Sequence, residues 1–403
     1  MKKTIFLIML FILSFNVTYA ISLPNDLAST ITADSVVLLN LETNDIVYSK
    51  NPDKQEILAS LTKIMTAYTV IENVPNLNEK VIITEKDIAN LYGFTCAGLQ
   101  VGDKVTYLDL LYATILHSGA DASQALAIHT SGSIEEFNDL MNEEAKKLGL
   151  KKSHFADSYG GDDNNISTAR EMSRLLKKAL QNETFKKIFT TMTKTLTNGL
   201  QVTNYSQSIA TFHGLDSSLL VGNKSGYTPE AGLLLASLTN INNTDYILIV
   251  MKSDINAYMS THVLDTYKIF HYISEINFVQ KTLLEKGTIL KRIPVENSAI
   301  NEYVVISDEQ ITATITEEDY QKLNYDYHII DKLTPEHSIG DHLGYVDIFI
   351  GDEVIATYNI YLKDEIFSLQ EEAEKEVVVI VAVIFIAIVL FGINLFSIKK
   401  VQK

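Results

Sequence analysis

The hydrophobic period of this chain switches from two to three-and-a-half and back again, and that order restricts the folds open to it. Residues 33–50, ADSVVLLNLETNDIVYSK, hold two β-rich runs, Ser35 to Leu41 and Ile46 to Ser49, around a turn at Glu42 to Asp45, which predicts a hairpin. From Ser60 the pattern turns helical. Leu61, Ile64, Met65, Tyr68 and Ile71 recur at three and four, and Pro75 lies past the end. Leu108 to Leu116 and Ser123 to Ile128 are further helical runs, broken by HSGAD. Ser133 and Glu136 make a capping box for a helix with Ile134, Phe137, Met141 and Leu148 inward, closed by Gly149. Ser167 to Leu180 is helical again. After Leu219, LLVGNKSGYT, GLLLASLTN and DYILIVMKS read as consecutive antiparallel strands, before a last helix over Asp265 to Ile273. A helical middle enclosed by a hairpin and a meander predicts an α+β fold, helices packed on an antiparallel sheet.

Residues from about 280 to 366 differ. NEYVVIS, QITATIT, GYVDIFI and EVIATYNIYL alternate between turns, which predicts a separate small β-domain.

The two ends predict export and anchoring. MKKTIFLIMLFILSFNVTYA has a basic start, an apolar core and small residues before a cleavage point after Ala20, so residues 1–20 read as a signal peptide. Residues 377–396, VVVIVAVIFIAIVLFGINLF, are uncharged and match the roughly 20 residues of a membrane span. The acidic 367–376 precedes it and Lys399, Lys400 and Lys403 follow, so a single C-terminal transmembrane helix is expected, with 397–403 cytoplasmic and the rest extracellular. The formal charge of −17 excludes nucleic acid as a partner, which needs concentrated Lys and Arg. The one cysteine, Cys96, excludes disulfide and multi-cysteine metal frameworks and reads as a small hydrophobe. Nine histidines without HExxH or clustered spacing give no reason to expect a metal, and no cofactor is called for.

Ala59 to Ala67, ASLTKIMTA, sets Ser60 one helical turn before Lys63. Alone, the pair is equally a cap and a solvated lysine; Ser397 and Lys400 repeat the spacing where no chemistry is plausible. Two further elements change its weight. Ser118-Gly119-Ala120 falls in the break between two helices, and Lys224-Ser225-Gly226-Tyr227 falls on a β-like segment. A serine hydroxyl needs an adjacent base, and a lysine three residues on shares its helix face and can serve once its pKa is lowered by burial.

The triple resembles the S-x-x-K, S-x-N and K-T-G set of penicillin-recognising serine enzymes. With GLQVGDKVTYLDLLYATILHSGADASQALA, MNEEAKKLGL, ISTARE and GNKSGYTPEAG, residues 25 to 275 look like the D-alanyl-D-alanine carboxypeptidases, the low-molecular-weight penicillin-binding proteins. The later β-segment is similar to that family's C-terminal domain. The resemblance implies a penicillin-binding-protein/β-lactamase-like transpeptidase domain over 21–278 and a small all-β domain over 279–366. It implies removal of the terminal D-Ala from peptidoglycan stem peptides through an acyl-enzyme, with β-lactams acylating the same serine. In these terms Ser60, Lys63 and Ser118 are the expected catalytic residues. Lys224, Ser225, Gly226 and Tyr227 are the expected substrate-binding ones. Ala120 departs from the family's usual asparagine, and Ser225 from its threonine. The first departure keeps open a weakened wall-binding scaffold; a β-lactamase is the other alternative.

Overall fold

The computed structural model describes residues 23–386 apart from 256–259, 277, 352, 372, 375 and 385. Five antiparallel strands form the central sheet: β1 (Ser35–Asn40), β2 (Ile46–Lys50), β3 (Gly222–Thr228), β4 (Gly232–Ile241) and β5 (Thr244–Ser253). Their order is β2-β1-β5-β4-β3, which puts the first hairpin beside the last strand of the meander and leaves β3 at an edge. All six residues of β1 are buried, so both faces of the sheet are covered.

The side chains divide accordingly. Val37, Leu39, Ile247, Ile249 and Met251 join the large apolar cluster shared with the helices of the middle segment. Val36, Leu38, Leu248 and Val250 are equally buried but lie outside that cluster. The C-terminal helix α6 (Thr261–Glu275), with Val263, Ile269 and Phe270 buried, packs on β4 and β5.

The helical layer contains α1 (Thr62–Asn73), α2 (Tyr107–Leu116), α3 (Ala120–Ser131), α4 (Ile134–Lys147) and α5 (Ala169–Leu180). Every residue of α1 from Thr62 to Val70 is buried, because α2, α3, α4 and α5 all pack around it. A helix apolar on one face only would not survive there; α1 is covered on every side. Burying Leu61, Ile64, Met65 and Val70 contributes about 1.5–3 kcal/mol each. The start of α1, which carries the serine and lysine pair, is thereby held against movement. At Ser133 only half of the expected capping box forms: its side chain accepts from the Glu136 N–H.

The chain divides into two compact units, one closing at Val279 and the other opening at Gln280. The second is built mainly of strands. Leu323–Ile329, His342–Ile350 and Glu353–Tyr361 form a three-stranded antiparallel sheet, and Ile289–Pro294 pairs with Glu302–Ile306. Its own core contains Ile293, Ile315, Leu333, Leu343, Val346 and Ile348.

The α+β architecture and the β-rich second unit are as expected; the transmembrane helix over 377–396 is not. Among the described residues no helix is long and apolar enough to cross a membrane. The membrane location by a single C-terminal span, with an extracellular catalytic domain, rested on that helix and falls with it. Residues 387–396, the tail 397–403 and the signal segment 1–20 lie outside the described residues.

Candidate active site

Ser60 does not cap a helix. It sits inside a 3-10 turn, Ala59–Leu61, that runs straight into α1, and no side chain caps either start. Ala59 adopts φ +43°, a left-handed conformation that a residue with a Cβ adopts at a cost. Lys63 Nζ lies 2.9 Å from Ser60 Oγ and 2.6 Å from the carbonyl oxygen of Tyr159. Lys63 is 2% exposed. Burial lowers its pKa from 10.5 to about 7, against the opposing influence of Asp157, Asp121 and Cys96. Near neutral pH a substantial fraction of this amine is therefore uncharged, with a lone pair to accept a proton.

The Tyr159 carbonyl is held in place by a carboxylate that the sequence reading missed. Asp157 accepts the backbone N–H groups of Tyr159 (2.9 Å), Gly160, Gly161 (2.8 Å) and Asp162 (2.7 Å). Gly160, at φ +86°, presses on the serine turn: an added Cβ would come 1.8 Å from the Ala59 carbonyl oxygen. Only glycine lets this loop lie against the turn.

Ser118 stands at φ +60° between the end of α2 and the start of α3. Asp121, one turn-step later, accepts from the N–H groups of Ala97 (2.7 Å), Gly98 (2.9 Å) and Leu99 (3.1 Å), and the Ala120 N–H donates to the Thr95 carbonyl at 2.8 Å. The 95–99 loop is thus locked onto the start of α3. Cys96, which the sequence reads as a small hydrophobe, is exposed on this loop. The backbone reason is plain: the N–H groups of 97, 98 and 99 turn inward to Asp121, which leaves residue 96 outside.

From β3, Lys224 Nζ donates to Ser118 Oγ at 2.8 Å and to the Ser225 carbonyl at 2.7 Å. Lys224 is 2% exposed, and burial, with the charge of Lys63 added, holds its pKa well below 10.5. Gly226 joins the two pairs. A Cβ there would come 3.1 Å from the Ser60 nitrogen, so glycine lets the strand lie against the nucleophile turn itself. Ser225 is half-buried, and Tyr227 is exposed on the same strand. All seven singled-out residues therefore belong to one locality. Asp157, Tyr159, Gly160 and Asp121 are its unread members; the turn-rich DSYGGDDN, residues 157–164, was the signal for three of them.

Such a site offers a hydroxyl next to an uncharged amine, a second hydroxyl next to a second amine, and no acidic side chain bonded to any of them. That is chemistry for acyl transfer to a serine. Comparison with known proteins agrees. The family described as D-alanyl-D-alanine carboxypeptidase matches residues 22–255, and the penicillin-binding protein 5 C-terminal domain matches residues 278–367. A D-alanyl-D-alanine carboxypeptidase of Streptomyces sp. strain K15 is 36% identical over 220 residues, 50% of this chain and 74% of that protein. A D-alanyl-D-alanine endopeptidase of Pseudomonas aeruginosa is 29% identical over 232 residues, 56% of this chain and 73% of its own length. Among solved structures, a D-alanyl-D-alanine carboxypeptidase from Francisella tularensis superposes with a TM-score of 0.67 at 21% identity, covering 87% of this chain and 96% of that one.

Proposed function

The chain belongs to the D-alanyl-D-alanine carboxypeptidase family, and on that premise we propose that Ser60 is its acylated nucleophile and Lys63 the base. The protein is a serine-type D-Ala-D-Ala carboxypeptidase; neither the scaffold nor the β-lactamase alternative is favoured. Its substrate is a peptidoglycan stem peptide ending in D-Ala-D-Ala. The observation that carries the residue roles is the 2.9 Å contact between Ser60 Oγ and an amine whose pKa burial brings to about 7.

In acylation, Ser60 Oγ bonds to the carbonyl carbon of the penultimate D-Ala while its proton passes to neutral Lys63. The Tyr159 carbonyl, fixed by Asp157, accepts an N–H from Lys63 and so aims the lone pair at Ser60. The C–N bond then breaks, and Ser118 relays a proton to the departing amine, releasing D-alanine. Water attacks the resulting ester, Ser60 Oγ leaves as the alcohol, and the free site returns. The substrate's terminal carboxylate is received by Lys224 and the Ser225 hydroxyl; its charge restores a protonated Lys224 despite burial. The N–H groups of Ser60 and Tyr227 stabilise the oxyanion, each contribution of this kind being about 3 kcal/mol. β-Lactams, as acylating analogues of the same dipeptide, enter at Ser60.

Fluorescent penicillin followed by gel electrophoresis tests the assignment, with D-Ala release from a diacyl-D-Ala-D-Ala peptide read in parallel. Wild type labels and turns over; Ser60→Ala does neither. Equal labelling of both proteins removes Ser60 from the role.

A further inference from the structure

We propose that the exposed face of the three-stranded sheet in the second unit is a binding platform for an uncharged N-acetylated sugar chain. The occupant we assign is the glycan backbone that carries the stem peptides, and its identity rests on the carboxypeptidase reading above.

Strand register builds the platform. His342–Ile350 and Glu353–Tyr361 send Leu343, Val346, Ile348, Tyr358 and Ile360 into the core, whereas Leu323–Ile329 is exposed from Asn324 to His328. On the outer face, His328 stands opposite Tyr345 and Tyr345 opposite Asn359. The next row is Asp326, Asp347 and Thr357, and His342 faces Tyr361 at the other end. The rows are about 7 Å apart along the strands, the scale of one pyranose ring with its substituents.

Two of the rows carry flat rings, and the Asp326, Asp347 and Thr357 row carries only hydrogen-bonding groups. The His328 and Tyr345 rings lie 4.6 Å apart at 30°, nearly parallel, and His342 and Tyr361 lie 5.2 Å apart. His342 Nε2 is 3.3 Å from Asn359 Oδ1, Thr357 donates to Asp347, and His328 Nε2 is 3.2 Å from Asp326. Tyr361 is 46% exposed, so its ring is open to a ligand. Asp326 and Asp347 stand directly opposite each other, an arrangement that weakens a sheet and calls for another reason to be there.

Charge selects the occupant. None of the three strands contains a lysine or arginine, and the flanking Lys322 and Lys363 are paired with Glu318 and Asp308, so a polyanion or an anionic lipid surface finds little counter-charge. Two carboxylates at the centre are equally wrong for the core of a protein interface, where charge is depleted. A pyranose meets both features at once: its C–H face lies on the rings, and its hydroxyls and amide N–H donate to the carboxylates and Asn359.

Isothermal titration of the full chain with chitopentaose, an N-acetylglucosamine pentamer, tests this. Peptide-free glycan strands follow in a pull-down. Saturable binding by wild type is expected, at least tenfold weaker in Tyr345→Ala and Tyr361→Ala and clearly weaker in Asp347→Asn. Wild-type-like near-UV circular dichroism and an unchanged thermal unfolding profile report intact folding of the second unit in all three; D-Ala release from a soluble diacyl peptide stays within twofold, while KM for insoluble peptidoglycan rises. Absence of saturable binding by wild type, or unchanged affinity in the variants, overturns the proposal. A dimer in sedimentation that Tyr345→Ala dissolves also overturns it and gives the face to self-association. Glycan binding without any D-Ala release would instead defeat the carboxypeptidase reading and leave the platform standing.

Discussion

Lys63 shows how much chemistry one buried amine can carry. Its pKa of about 7 makes the neutral form available at physiological pH, the form that the proposed acylation needs. The acylation rate should therefore rise about tenfold per pH unit below 7 and level off above it, measured as penicillin acylation against pH. A Lys63→Arg variant stays protonated throughout and should lose about 10²–10⁴-fold in that assay, with no plateau. Stability moves in the same direction. Between about 7 and 10.5 the unfolded chain holds the Lys63 proton and the folded one does not, so unfolding becomes harder as pH rises across that window. Ala120 makes a second case at this scale. It is 1% exposed, and its neighbourhood is closed by the Thr95 carbonyl on its N–H and by the Asp121-bound loop. Ala120→Asn must push that loop aside, so it is expected to lower stability by about 1–3 kcal/mol by denaturant titration rather than to raise D-Ala release.

Among the elements, the 157–162 loop does as much as any helix, because it fixes the carbonyl that Lys63 leans on. Gly160→Ala combines a left-handed backbone with a Cβ 1.8 Å from the Ala59 oxygen, so the loop and the serine turn cannot both stay where they are. The expected result is at least a hundredfold loss of penicillin acylation; Asp157→Ala, which frees four N–H groups without a clash, should lose less. Acylation at the wild-type rate in Gly160→Ala would mean that Tyr159 does not orient Lys63. These backbone contacts explain what the sequence hid. Ser60, Lys63, Ser118 and Lys224, to which roles are proposed, carry their chemistry in side chains within short motifs that the sequence displays, and α1 and β3 to β5 were legible through their period. Tyr159 acts through a carbonyl, which any residue owns. The strand Leu323–Ile329 escaped notice because Asn324, Tyr325, Asp326, Tyr327 and His328 are all exposed, so no alternation marks it. The exposure of Cys96 was not legible either, because Asp121, a side chain 25 residues on, dictates which way its loop faces.

At the scale of the whole molecule, the division at Val279 and Gln280 separates two sets of buried side chains, each sufficient for a core. Every side chain assigned to the reaction, and every backbone group that orients one, lies before that boundary. The sheet edge, the Asp157 loop and the α2–α3 break all take their hydrogen bonds from within the first unit. Domains of this size with their own core fold without a neighbour as a rule. A chain ending at Val279 is therefore expected to unfold in a single cooperative thermal transition and to release D-Ala from a soluble diacyl-D-Ala-D-Ala peptide with kcat/KM within about threefold of the full chain. Calorimetry and that assay decide it together. A truncated chain that folds but has lost kcat would place a determinant of the reaction beyond residue 279, because loss through unfolding would remove the thermal transition as well.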